Sequence, residues 1–267
     1  MMFNTEPLRT EPPAGVAADQ LELFAEANGL TYERSTGQIP YKGMIFRSGE
    51  GRTITHRLRS EAGPFADAGG FRAIPGGADS DLANRWNYAA FRLPRPMPHI
   101  VLDARANNPL GISNLPTELV SSQRLKMGDP FDKRFTLYAP EGYEQDLFYL
   151  FPAHVQEALL AAPAKYDIEI KGSWLFLYTK GRQDLRDPAT WEFLGHIAEE
   201  LMGRMTPIAE RWRDRKAIAP TTSKWRPRHP AVGAGGQQLQ HRFPWRSTLV
   251  SLGVVIILAV LYVASGP

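Results

Sequence analysis

The stretch Tyr166-Asp-Ile-Glu-Ile-Lys-Gly-Ser-Trp-Leu-Phe-Leu-Tyr178 decides the fold class. Residues 166–170 alternate between apolar and polar side chains. Lys171-Gly172-Ser173 supplies turn chemistry, and Trp174-Leu-Phe-Leu-Tyr178 is aromatic and apolar. Two such runs around a glycine predict an antiparallel hairpin. Just upstream, residues 152–162 read as a helix with Pro152 in its first position and Val155, Leu159 and Ala162 on the inward stripe. Downstream, residues 181–187 form a loop, and Asp187-Pro188 carries an N-cap acid and an N1 proline that start a long helix.

The apolar positions of that helix are Trp191, Leu194, Ala198, Leu201, Met205, Ile208 and Trp212, alternately three and four apart. Such a seam suits packing on a sheet or pairing with a second chain. Pro207 lacks an amide hydrogen and releases the Gly203 carbonyl, so a kink is expected there, which favours packing on the helix's own domain.

Toward the N-terminus, residues 18–28 read as a short amphipathic helix with Leu21, Phe24 and Ala25 on one face and Asn28-Gly29 as its stop. Residues 30–33 lead into a strand. Strand composition recurs at 41–46, 52–58, 84–93, 99–103, 135–138 and 147–151. In the second of these, Ile54, His56 and Leu58 are expected on one face, with 48–51 as the turn before it. Residues 63–77, rich in glycine, read as a loose connection, and residues 1–16 as an irregular arm. The fold class is therefore α+β: a largely antiparallel sheet with packed helices over residues 1–218, a flexible basic linker over 219–246 and one C-terminal transmembrane helix over 247–264.

That last segment, Ser247-Thr-Leu-Val-Ser-Leu-Gly-Val-Val-Ile-Ile-Leu-Ala-Val-Leu-Tyr-Val-Ala264, has no charge and no proline. Its residues span about 27 Å as a helix, close to the thickness of a hydrocarbon core. Arg242, Trp245, Arg246 and Tyr262 stand where membrane-interface residues are expected, as does Phe243. The arginines precede the span, which puts the upstream domain in the cytoplasm, the tail outside and the protein in the plasma membrane as a single-pass protein inserted after synthesis. No apolar signal segment is visible near residue 1.

Charge follows the same division. From Arg211 onward there are nine basic residues and one acidic residue, +8, against −5 for the rest, within a total of +3. The basic character belongs to the tether, which reads as attraction to anionic lipid headgroups rather than as a nucleic-acid surface. The linker's prolines and its Gly233-Ala-Gly-Gly-Gln-Gln run give an expected r.m.s. reach of about 30 Å. With no cysteine in the chain, disulfides, thiolate metal sites and thiol nucleophiles are excluded. No glycine motif for a nucleotide or dinucleotide and no nucleophile elbow is present, and no cofactor is expected.

The catalytic candidates are His99, Asp103 and Asn107, with Asn108 and Asn114 nearby. A histidine and a carboxylate four apart on a strand share a face but stand about 13 Å apart, so a site would need the following loop. The alternative is a strand end capped by polar side chains. Asp129 and Asp132, beside Lys133 and Arg134, read as a solvated turn more readily than as paired carboxylates. His154 and His196 lie on predicted helices without zinc spacing, and His56 reads as a packed histidine.

Five segments carry a resemblance: Pro98-His-Ile-Val-Leu-Asp103, Phe131-Asp-Lys-Arg-Phe-Thr-Leu-Tyr138, Pro140-Glu-Gly-Tyr143, Leu147-Phe-Tyr-Leu-Phe-Pro152 and Trp174-Leu-Phe-Leu-Tyr178. Together they resemble a group of uncharacterised actinobacterial single-pass membrane proteins. They are loosely similar to a bacterial family of unknown function with the same order of Phe-x-Lys-x-Phe, acidic strand, proline-led helix and hairpin. The resemblance covers roughly a third of the chain. It implies a bacterial plasma-membrane protein, treats the block as one structural unit and assigns no catalytic residue.

The function expected is a membrane-anchored cytoplasmic domain that binds a protein or ligand near the inner leaflet. The alternatives are an enzyme on a membrane-proximal substrate and a lipid-headgroup-binding module. An enzyme predicts a deep pocket of convergent polar groups, a protein binder an exposed apolar patch, and a headgroup binder basic side chains converging on one rim.

Overall fold

The computed structural model describes residues 2–10, 19–74, 84–181, 184–217 and 231–241. Its frame is a seven-stranded antiparallel sheet formed by β1 (Thr31–Thr36), β2 (Glu50–Arg59), β3 (Phe65–Ile74), β4 (Asn84–Ala104), β5 (Arg124–Leu125), β6 (Phe135–Tyr138) and β7 (Asp167–Lys180). The order is β1-β2-β3-β4-β6-β5, and β7 pairs with β4. The helices are α1 (Glu6–Arg9), α2 (Gln20–Ala27), α3 (Phe131–Arg134), α4 (Glu144–Leu150), α5 (Ala153–Ala161), α6 (Pro188–His196) and α7 (Met202–Arg211). An antiparallel sheet with packed helices is the expected α+β class.

The sheet is organised around one long pair. The anticipated hairpin at 166–178 is instead a single strand, β7, aligned with β4 from Trp86↔Lys180 to Leu102↔Ile168. Gly172, at φ +59°, bends the strand without reversing it. The bend is matched in β4. Between the pairs Arg92↔Trp174 and Met97↔Gly172, β4 advances five residues while β7 moves two. The extra residues include Pro94 and Pro96, which bring no N–H to the ladder and stay exposed. The two expected strands 84–93 and 99–103 are thus the two arms of one strand. Across its other edge β4 pairs first with β3 and then with β6.

Of residues 63–77, those up to Ile74 are not a loose connection, since β3 lies between β2 and β4, and 75–77 lie outside the described residues. Gly69 and Gly70 belong there because side chains at those positions would crowd Ile54 and Thr55. Residues 41–46 form no strand; Ile45–Arg47 is a 3₁₀ turn. Residues 147–151 are mainly helical, within α4, with Leu147 and Leu150 buried and Phe148 and Tyr149 exposed. Residues 2–10 of the expected arm are also structured: α1 carries Leu8 into the core, and Phe3 packs against Phe24, Phe65 and Trp191. In β2 a register shift at 55–58, with His56 at φ +50°, puts Ile54 and Leu58 in different core clusters, so the expected shared face is broken.

The larger cluster lies on the helical face. Asp19 caps α2 with a reciprocal capping box, and Leu21, Phe24 and Ala25 are buried as expected. Asp187 caps α6, with Pro188 next. Trp191, Leu194, Ala198, Leu201 and Met205 join this cluster with Leu102, Ile168 and Leu177, so the heptad seam packs on its own sheet. A π turn at Ile197–Leu201 joins α6 to α7, upstream of Pro207. The smaller cluster, on the opposite face, contains Tyr41, Phe46, Phe71, Tyr88, Phe176, Tyr178, Leu119 and Leu239. Among the described residues no α-helical residue belongs to it; residues 39–47 and the stretch around Leu239 close it.

The expected linker therefore divides. Residues 218–230 and 242–246 lie outside the described residues, but 231–241 packs, with Val232 and Leu239 buried and Leu119 bridged to His241. The expected span, 247–264, and the interface residues Arg242, Trp245, Arg246 and Tyr262 also lie outside the described residues. Among the described residues no helix is long and apolar enough to cross a membrane.

Candidate functional site

Alternation along β7 sends Ile168 and Ile170 into the helical core and Glu169 to the other face. The neighbouring arm of β4 does the same: Ile100 faces the helices, and His99 faces Glu169. His99 Nε2 lies 2.7 Å from Glu169 Oε1, and both side chains are almost fully buried. Glu169 Oε2 accepts the Tyr178 hydroxyl at 2.8 Å and the Met44 N–H at 2.8 Å. The backbone reaches that close because residue 43 is glycine; a Cβ there would overlap the Tyr178 hydroxyl and meet Glu169 Oε2 at 2.9 Å.

The other histidine nitrogen, Nδ1, faces the Leu239 N–H at 2.9 Å and Lys171 Nζ at 3.1 Å. Both neighbours are donors, so Nδ1 accepts and the proton is assigned to Nε2, toward Glu169. Burial holds the imidazole below its usual pKa, against the pull of Glu169, and this keeps it neutral. Lys171 Nζ also donates to Gln237 O at 2.6 Å and Gln238 Oε1 at 2.7 Å. Its own pKa is lowered to about 8 by burial. A neutral histidine backed by a carboxylate can move a proton, but here its free lone pair is taken up by the segment 231–241.

A second polar knot lies on the same face. Asp67 Oδ2 accepts from Arg57 Nε at 2.7 Å, Arg57 Nη2 at 2.7 Å and Tyr41 at 2.8 Å, while Oδ1 accepts from Tyr88 at 2.9 Å. Burial raises the Asp67 carboxyl, and the guanidinium and two phenols pull it back down. Both carboxylate oxygens are bonded, so this knot fastens β2, β3, β4 and the 39–47 loop together.

Of the sequence candidates, His99 is in the site and Asp103 and Asn107 are not. Asp103 Oδ1 accepts Asn108 Nδ2 at 2.9 Å, and Asn108 Oδ1 in turn accepts the Asn114 N–H at 3.0 Å. Asn107 donates to Lys165 O at 3.0 Å. These side chains close the turn after β4, which is the strand-end alternative. Asp132 accepts the N–H groups of Met127 and Gly128, and Asp129 pairs with Lys133 on the surface. His154 and His196 are exposed on α5 and α6. His56 is half-buried against Tyr32, Nδ1 to hydroxyl 2.8 Å. Among the described residues no group of three His, Asp or Glu side chains is placed to hold a metal.

Sequence reading missed Glu169, Lys171, Tyr178, Gly43 and Leu239. Glu169 carried a signal: an acid inside the Ile168–Ile170 alternation is buried once both faces of the sheet are covered.

Two clefts border the knot. One, of about 180 Å³, is lined by His99, Glu169, Arg47, Gln238 and His241. The other, of about 510 Å³, has Pro40, Pro96, Met97, Trp174 and Val232 for apolar walls, with Lys42 and Lys171 among its lining residues.

Fold and site together define an α+β domain in which the sheet face opposite the packed helices holds a buried carboxylate–histidine–lysine knot beneath the segment 231–241. No protein family matches the chain, and no curated protein matches it. Among solved structures it is similar to the crystal structure of the mycobacterial trehalose monomycolate transport factor A. The identity is 11% and the TM-score 0.44, over 68% of this chain and 92% of that one. A likeness of this size carries no argument about function.

Proposed function

We propose that this is a membrane-anchored domain that binds a small amphipathic ligand beside the bilayer, in the cleft formed by the β4–β7 bend and the segment 231–237. One observation carries the reading: Ala231, Val232 and Gln237, ten to sixteen residues ahead of the apolar stretch 247–264, line that cleft. A ligand bound there touches the part of the chain that leads toward the lipid. Pro40, Met97, Trp174 and Val232 suit an apolar body, and Lys42, exposed at the cleft, suits an anionic head. The anchor places the domain on the cytoplasmic side, where the basic residues before the span favour anionic headgroups.

The test has two parts. Full-length protein should stay with bacterial membranes through an alkaline carbonate wash; release would remove the anchor. Detergent-solubilised protein should enhance the fluorescence of anilinonaphthalene sulfonate, an amphipathic anion, in a saturable manner, and the double variant Trp174→Ala, Lys42→Ala should abolish that. Equal enhancement by the variant would remove the cleft as the binding site.

A further inference from the structure

The far end of the β4–β7 pair places two carboxyls side by side. Leu102 is registered with Ile168, so the next opposing residues on these antiparallel strands are Asp103 and Asp167. Alternation puts both on the face that carries Val101 and Glu169, and both are buried, Asp167 completely. Like charges directly opposite one another destabilise a sheet. Among the described residues neither carboxyl forms an ion pair; Arg105 and Arg124 act on Asp103 from exposed positions.

The turn after β4 folds over this pair. Asn108 Nδ2 and the Ser113 hydroxyl hold Asp103, and the Asn107 amide lies beside Asp167. Asn114 is tied to the same group by its N–H, which Asn108 Oδ1 accepts at 3.0 Å. Three buried oxygens here have no hydrogen-bond partner among the described residues: Asp167 Oδ2, Asn107 Oδ1 and Asn114 Oδ1. Turning the amides over would not relieve them. Asn107 Nδ2 donates to Lys165 O at 3.0 Å and Asn114 Nδ2 to Asn107 O at 3.2 Å, so a flip would set oxygen against carbonyl oxygen. The other Asp167 oxygen, Oδ1, is already committed to the Ala104 N–H at 2.8 Å. Buried acceptors are ordinarily bonded, and three unbonded ones gathered beside two carboxyls call for a shared positive partner.

We infer that Asp167 Oδ2, Asn107 Oδ1 and Asn114 Oδ1 are protein ligands of a hard divalent cation, calcium or magnesium, with Asp103 as the second negative charge beside it. Carboxylate and amide oxygens, with no imidazole or thiolate among them, are the ligand set of these ions rather than of zinc or copper. Only two acids take part; the amides complete the set. The cation would offset the repulsion between the two strands and pin the turn at 105–114 to the sheet. This site is separate from the cleft at Trp174 and from the anchor, and depends on neither.

The test uses full-length protein in detergent, stripped with a chelator and then titrated with calcium chloride or magnesium chloride at constant ionic strength. One of the two ions should raise the Tm of wild type saturably, by about 5 °C at saturation. The ion that acts at the lower concentration is the one the site selects. Asp167→Asn keeps the acceptor for Ala104 and removes the charge, so it should weaken the apparent affinity about tenfold or more. In chelator the same variant should melt at or above wild type, which separates a lost response from a lost fold. Asp129→Asn, at a surface acid paired with Lys133, should respond as wild type does. No saturable shift with either ion would overturn the inference. So would a full response in Asp167→Asn, or an equal loss in Asp129→Asn, which would assign the effect to diffuse surface charge.

Discussion

The backbone N–H of Leu239 donates to Nδ1 of His99, 140 positions earlier in the chain. One buried imidazole thus holds the C-terminal segment on one nitrogen and the central sheet, through Glu169, on the other. His99→Ala removes both connections and leaves the Leu239 N–H without its acceptor. Hydrogen exchange should show protection over 231–241 collapsing, with stability falling by about 2–3 kcal/mol. Retained protection in that segment would show that Leu239 and Val232 hold it by burial alone.

Gly43 is fixed by proximity. An added methyl collides with the Tyr178 hydroxyl and pushes the Met44 N–H away from Glu169. Gly43→Ala should therefore cost about 1–3 kcal/mol in a denaturant melt. Gly37→Ala, with open space at its Cβ, is the control and should be close to neutral.

Asp167 gives the fold a specific pH dependence. Its Oδ1 accepts the Ala104 N–H at 2.8 Å, while Oδ2 is buried with no hydrogen-bond partner. Burial, with Asp103 nearby, raises its pKa to about 7. The folded state therefore binds this proton more tightly than the unfolded chain does. The group costs nothing below the unfolded carboxylate value, and stability declines as pH rises from there to about 7. Asn keeps the acceptor for Ala104 and cannot ionise. Asp167→Asn should gain about 2–3 kcal/mol over wild type between about pH 5 and about pH 8. Parallel stability curves for the two proteins would contradict this.

Trp191 is fully buried among Phe3, Phe24 and Phe65, where it joins α6 to the N-terminal residues and the sheet. Its indole N–H donates to Leu185 O at 2.7 Å. Trp191→Ala should cost about 3–5 kcal/mol by calorimetry. If the helix instead paired with a second chain, the main loss would be in oligomeric state.

The helices α2, α5, α6 and α7 were legible in the sequence because their signals are local, whereas the short α1, α3 and α4 were not. Asp19 and Asp187 are caps with side-chain acceptors in place, Pro188 opens a helix, and the stripes at Leu21, Phe24, Val155 and Leu159 are buried. The strands were harder to delimit. Gly172 and Gly69-Gly70 read as turns because glycine marks turns in the absence of context, yet here each sits inside a paired strand. Asp67 lies inside β3, where Arg57, Tyr41 and Tyr88, separated from it in sequence, satisfy it fully. Residues 147–151 have strand composition, and the acids Glu144 and Asp146 at a helix start were the counter-signal. The site was half visible. His99 was named, but its partners Glu169 and Lys171 lie about 70 residues on, and Leu239 lies in a glycine-rich stretch with nothing local to show that it packs.

The two faces of the sheet differ in what covers them. The helical face is assembled from segments throughout the chain, two of which, α2 and α6, open on a capping aspartate. The aromatic face closes only when residues near 41 and residues near 239 arrive together over strands from the middle. Loops of that span close slowly, since the entropy of joining their ends precedes any gain from packing. This face therefore becomes dry late in folding. A chain arrested just short of that step would show Phe46, Phe71 and Phe176 to its surroundings, which makes this the surface through which an incompletely folded copy would first aggregate or be held by a chaperone.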